Sequence, residues 1–189
     1  MPQIPLPPKN ALSLRIQSTW DAQPLPPHEH ITVLAWDDPK QVHFVWQAPF
    51  YNDPPPPHPI GPTPRLWEHE VVEIFVAGPQ TAEGWPYLEM EFGPHGHHLL
   101  LQLSAIRTIQ TQELPCDYSF DIQNNRWLGY ARILRTDFPS QPWTWNAYAI
   151  HNSPPKRRYL SAFPAPSPQP DFHQPACFRP FSPPRLSLP

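Results

Sequence analysis

Proline occurs 33 times in these 189 residues, where average usage near 5% would place about nine, while glycine occurs only six times. An interior proline removes a helical hydrogen bond and clashes with the preceding turn, which excludes long helices over most of the chain. Such a composition also fits disorder, but ten Phe, eight Trp and six Tyr argue against it, because disordered segments are poor in aromatics. A folded β domain with proline in its loops and edges is what remains. At this length a single domain over 1–189 can bury a sizeable core.

Ten segments read as strands: Ala11–Thr19, His30–Trp36, Gln41–Ala48, Glu70–Val76, Tyr87–Phe92, His97–Ala105, Tyr118–Gln123, Arg126–Leu134, Trp143–His151 and Arg158–Phe163. Short strands at regular spacing with turn residues between them predict an all-β fold, a two-sheet antiparallel sandwich of jelly-roll or immunoglobulin-like type with about ten strands and proline-rich loops. Asp37-Asp38-Pro39-Lys40, Gln123-Asn124-Asn125-Arg126 and Gly93-Pro94-His95-Gly96 supply turn chemistry. Alternation assigns Leu88, Met90 and Phe92, together with Leu99, Leu101 and Leu103, to the inner faces. The stretch 49–66, with Pro54 to Pro57, reads as a stiff loop, and a loop of this length is more often functional than idle. The stretch 164–189 reads as an irregular C-terminal strap held by Phe172, Phe178 and Phe181, its last residues loose.

Two of the strands carry carboxylates where a sheet face should be apolar or simply wet. In Tyr87-Leu88-Glu89-Met90-Glu91-Phe92, the residues Tyr87, Glu89 and Glu91 share one face, about 7 Å apart at each step. In Glu70 to Val76, Val72, Ile74 and Val76 oppose Val71, Glu73 and Phe75. If these strands are neighbours, Glu73, Glu89 and Glu91 form one acidic patch beside Trp67 and Tyr87. Such carboxylates can accept hydrogen bonds, ligate a cation or transfer protons, or they can form a solvated outer face. Crowding raises the pKa of at least one unless a cation offsets it, and Arg132, Arg157 and Arg158 are candidates for that role. Trp67 can stack on a ligand ring or anchor a loop.

The segments Leu66-Trp67-Glu68, Val71-Val72-Glu73-Ile74-Phe75 and Tyr87-x-Glu89-x-Glu91-Phe92-x-Pro94-x-Gly96 resemble the DOMON-like family-9 carbohydrate-binding modules. Over most of its length the chain is similar to an uncharacterised family of small animal and bacterial proteins. That likeness is carried by Trp20-Asp21, Gln47 to Pro55, Leu66 to Glu73, Glu91 to Leu99, Asn146 to His151 and Pro170 to His173. The module resemblance implies a β-sandwich that holds sugar between aromatic residues, with charged and amide side chains on its hydroxyls. It also implies structural calcium in some members; the residues themselves point to no cofactor and no metal site.

Together these readings nominate Trp67, Glu73, Tyr87, Glu89, Glu91, Asn146, Asn52, Asp53 and Arg158 as ligand-binding residues. Asp171 and His173 are loop residues that serve equally as turn formers or contacts. His95, His97 and His98, with His28 and His30, are enough imidazoles for a metal, yet surface turn histidines are the simpler expectation. The expected function is non-catalytic binding of a carbohydrate or other polyhydroxylated molecule. Two alternatives stand beside it: a carbohydrate-active hydrolase using two of the glutamates across a cleft, and an interaction domain offering its proline-rich stretches to a protein partner.

A formal charge of -3 and a pI near 6.3, with no basic run longer than Lys156-Arg157-Arg158, predict neither a nucleic-acid nor a membrane partner. The absence of GxGxxG, Walker and serine-nucleophile motifs argues against nucleotide enzymes. No apolar leader is visible, so the cytoplasm is the expected compartment. Cys116 and Cys177 read as reduced thiols, with a single disulfide as the alternative.

Overall fold

The structure, a computed structural model, describes residues 4–152, 156–165 and 167–186. The strands in chain order are β1 (Leu12–Ile16), β2 (Ser18–Thr19), β3 (Ile31–Asp37), β4 (Gln41–Pro49), β5 (Gly61–Pro62), β6 (Val71–Ala77) and β7 (Tyr87–Phe92). They continue with β8 (His97–Ala105), β9 (Thr108–Gln112), β10 (Asp117–Gln123), β11 (Arg126–Leu134), β12 (Trp143–His151), β13 (Arg158–Ser161) and β14 (Arg179–Phe181). All ten expected segments are strands, and the additions are short: β5, β9 and β14 are new, and the first segment divides into β1 and β2. Helix among the described residues is limited to four three-residue 3-10 turns, as the proline content dictates.

The strands form a two-sheet β-sandwich. The first sheet runs β1-β3-β4-β11-β10, and the second runs β2-β13-β12-β6-β7-β8-β5, with β14 added to β12 and β9 to β8. Every named pairing is antiparallel except β5 with β8. The hairpins follow from their turn residues. Asp38 Oδ1 accepts from the amides of Lys40 at 2.7 Å and Gln41 at 2.8 Å, closing the β3–β4 turn. Asn124 and Asn125, at φ 52° and 57°, close β10–β11 in the left-handed region that Asn tolerates.

Val72, Ile74 and Val76 of β6 and Leu88, Met90 and Phe92 of β7 face Phe44, Trp46, Trp127 and Ile133 of the first sheet across one apolar core. Trp46 fits only because its register partner is Gly129: a Cβ there would stand 2.1 Å from the indole. One expectation is corrected. Leu99, Leu101 and Leu103 are not on the inner face with Leu88; β8 registers them against Glu91, Glu89 and Tyr87, and directly paired residues share a face. Leu100 takes the inner position instead. The apolar run Leu99–Leu103 has no parity of its own, so its facing is set by the Gly93–His97 turn, where the Gly93 amide donates to the His97 carbonyl at 2.8 Å.

The outer face of the second sheet is therefore buried too. Phe172 and Phe178 of the C-terminal segment pack on Phe75, Tyr87, Tyr148 and Ile150 there. Phe181 instead reaches the inner core, stacked 4.6 Å from Trp145, and β14 pairs with Trp143–Trp145. Residues 187–189, expected to be loose, lie outside the described residues. Both cysteines are free thiols. Each of the three phenylalanines contributes about 1.5–3 kcal/mol of burial. Removing residues 164–189 is therefore expected to lower the melting temperature by about 10 °C or more in a thermal melt; an unchanged midpoint would show that the segment carries no stability.

Candidate functional site

The outer face of β12, β6, β7 and β8 is set by register. Tyr148 lies opposite Glu73, which pairs with Glu91 and through it with Leu99; one step along, Phe75 pairs with Glu89, itself opposite Leu101. The three glutamates thus share one face, beside Tyr87. Glu73 is 2% exposed, Glu89 4% and Glu91 not at all. Glu73 Oε1 has no hydrogen-bond partner, whereas the Glu89 and Glu91 carboxyls bond to each other and the Trp67 backbone bonds to Glu91.

Above Glu73 and Glu89 the strap and the rim enclose a cavity of about 380 Å³. Its aromatic and aliphatic wall is Trp67, Tyr159, Phe172, Leu101, Ile109 and Ile150, and its remaining polar residues are Arg107, Asp171 and His173. Trp67 rides on a 3-10 turn, Leu66–Glu68, entered through Arg65 in the left-handed region at φ 58°. It is 38% exposed, so its ring is half open to the mouth. The Arg157 guanidinium holds that turn by donating to the carbonyls of Trp67 and Glu68, and lies 5.7 Å over the Tyr159 ring.

Hydrogen bonds knit the other wall. The Arg107 amide donates to the Tyr87 hydroxyl at 3.1 Å, and that hydroxyl lies 2.7 Å from His173 Nδ1. Asp171 Oδ1 accepts from the Arg107 guanidinium at 3.0 Å and from the His173 amide at 3.0 Å. Burial, reinforced by Arg107, pushes His173 down to about 4, so it is neutral at pH 7 and its 3.8 Å approach to Glu89 is no ion pair. Burial raises Glu89 to about 7. Glu73 is pushed well above the carboxylate range by burial and by Glu89, and Glu91 by burial and by both neighbours. The floor is therefore a set of carboxyls that both donate and accept near neutral pH.

Of the nine residues nominated from sequence, Trp67, Glu73 and Glu89 line the cavity. Glu91 and Tyr87 lie beneath it, on the same face. Asn146 is also on that face but fully buried, donating to Phe163 O at 2.9 Å and to the Tyr148 hydroxyl at 2.8 Å, so it ties down the strap. The remaining three are elsewhere. Asp53 donates its amide to Glu70 at 3.1 Å and accepts from the Asn152 amide, and Asn52 supplies the turn between at φ 57°. Arg158 pairs with Glu29 at 2.6 Å.

Arg107, Tyr159 and Phe172 were not nominated. Tyr159 is one residue from Arg158, and pairing of β13 with β12 puts Tyr159 opposite the cavity residue Ile150 and Arg158 opposite His151. Only the register decides which of the two faces the site. Asp171-x-His173 was legible as a loop pair but without a role. The surface expectation for the turn histidines fails for His97, which is 3% exposed and bonded through Nε2 to the His58 carbonyl at 3.1 Å. No group of three His, Cys, Asp or Glu among the described residues is placed to hold a metal. Of the cations proposed to offset the patch, Arg132 instead pairs with Asp117 at 2.6 Å.

No family model matches the chain. The UPF0462 protein C4orf33 homolog of Rattus norvegicus is 37% identical over 179 residues, covering 90% of this chain and 88% of its own. The chain belongs to the UPF0462 family. Its fold is shared more widely: a structure named as a "putative carbohydrate-binding protein" from Bacteroides uniformis aligns over 90% of this chain and 85% of its own, with TM-score 0.67 and 16% identity. That likeness shows the sandwich alone. A family-9 carbohydrate-binding module from Caldicellulosiruptor kristjanssonii, solved with cellotriose, covers 70% of this chain and 65% of its own at TM-score 0.48 and 11% identity, too distant to bear on the site.

The carboxyls give this UPF0462 member a specific pH signature. Glu89 takes up its proton more readily folded than unfolded, so stability falls as pH rises from about 4.5 towards 7. His173 acts in the opposite sense, losing stability as pH falls from 6.5 towards 4. Glu89→Gln is expected to leave the melting point unchanged near pH 4.5 and raise it at pH 8, by up to about 3 kcal/mol or roughly 5–10 °C. Melts at the two pH values check this, and equal effects at both would contradict it.

Proposed function

We propose that the cavity binds a carbohydrate or other polyhydroxylated small molecule without transforming it. One observation carries this: the buried carboxyls of Glu73, whose Oε1 has no hydrogen-bond partner, and Glu89 line a cavity together with the rings of Trp67 and Tyr159. A buried acceptor left without a donor is costly, and a ligand hydroxyl removes that cost. The CH faces of a sugar ring offer the matching apolar surface for an indole. A cavity of about 380 Å³ lies within the range of small-molecule sites. The Bacteroides protein's name points the same way. Glu89 and Glu91 alternate along one strand and Glu73 pairs beside Glu91, so the carboxyls lie side by side on one floor. That favours holding hydroxyls over flanking a scissile bond.

Isothermal titration with a panel of mono- and oligosaccharides tests the proposal. Saturable binding is expected, weakened about tenfold or more by Trp67→Ala and by Glu89→Ala. Binding untouched by both substitutions would place the ligand elsewhere, and turnover of chromogenic glycosides lost in Glu91→Gln would favour the hydrolase.

A further inference from the structure

The charge balance of the same floor narrows the ligand further, presupposing the polyhydroxyl-binding reading above. Glu73, Glu89 and Glu91 meet on one buried face, and no lysine lines the cavity. Arg107 is paired with Asp171, and Arg157, held on the carbonyls of Trp67 and Glu68, keeps its charge; each lowers one carboxyl, Glu89 and Glu73 respectively, by less than burial raises it. Neutral His173 adds no charge. Facing groups on the other elements, Tyr87 and Tyr148, have hydroxyls that burial keeps protonated. The two carboxyls that line the cavity, Glu73 and Glu89, belong to diagonal neighbours on paired strands, about 7–8 Å apart at the backbone. A ligand hydroxyl satisfies one of them and leaves the repulsion between the carboxyls in place. An ammonium brings three donors and a positive charge to both.

We propose that the cavity selects a polyhydroxylated ligand bearing a free amine, such as an unacetylated amino sugar, with its ammonium between Glu73 and Glu89 and its ring against Trp67. Charge-assisted hydrogen bonds are roughly twice as strong as neutral ones, and burial enlarges the difference. In the unliganded protein at pH 7 the crowded carboxyls retain protons, since burial raises all three and repulsion from neighbouring carboxylates adds to the rise of Glu73 and Glu91. An arriving ammonium takes the place of such a proton, so binding releases protons to solvent and tightens from pH 6 to pH 7.5.

The test is isothermal titration of the full chain at pH 7 with glucosamine, N-acetylglucosamine, glucose and propylammonium. It is repeated in two buffers of different ionisation heat that contain no primary amine. Glucosamine is expected to bind about tenfold or more tightly than glucose or N-acetylglucosamine, with a net release approaching one proton. Glu73→Gln, which keeps the shape, is expected to remove that preference and the proton release. Glucose or N-acetylglucosamine binding as well as glucosamine, with no proton release, overturns the amine proposal and leaves sugar binding standing. Propylammonium matching glucosamine upholds the ammonium site and overturns the polyhydroxyl reading. Failure of all four probes overturns this proposal.

Discussion

Burial of like charges on the outer face of the second sheet is the constraint to which the surrounding structure answers. Antiparallel register sets Glu73 against Glu91 and Phe75 against Glu89. A carboxylate in water would tolerate such neighbours, since solvent weakens their repulsion to about 1 kcal/mol at 4 Å. Under a strap, solvent can no longer do this, and the cost appears instead as retained protons. A chain selected for stability alone would place apolar residues here, as β8 does with Leu99, Leu101 and Leu103. Keeping three glutamates in their place is the kind of local cost that functional sites carry.

The strap makes that face an interior. Asn146 bonds to Phe163 from both ends of its amide, and Tyr148 donates to the Phe172 carbonyl at 3.0 Å while stacking on its ring at 4.1 Å. These contacts deliver Asp171, Phe172 and His173 to the cavity from a segment with no regular structure. A proline-rich tail suits this role, because little conformational entropy is lost when it is laid down. Fold and site are therefore coupled: the aromatic contacts that anchor the tail also exclude water from the glutamates.

Much of this was legible in the chain. Proline frequency excluded helices, alternation located ten strands and put Glu89 and Glu91 on one face, and the condition for Glu73 to join them, that the two strands be neighbours, is met by the β6–β7 register. Nomination worked least well where a choice depended on parity or on contact between distant segments. Leu99 to Leu103 could face either way because every residue but Gln102 is apolar. Arg158 and Tyr159 differ by one position, and only pairing with β12 shows which faces the cavity. Asn52 and Asp53 stood out for their polarity in a long loop, but they serve its attachment to Glu70 and Asn152.

By itself, then, the sequence determined the class of fold and the chemistry of one face, because both follow from local rules: what proline forbids, and what a two-residue period places on one side of a strand. The cavity was decided only by tertiary structure. Its walls come from β6, β7, β8, β9, β12, β13, the Trp67 turn and the C-terminal strap, segments separated by up to about a hundred residues. No local pattern records which of them meet. Whether a glutamate is a solvated surface charge or a buried, unpartnered acceptor depends on what is packed above it, and here that is Phe172 and its neighbours, some eighty residues further along the chain.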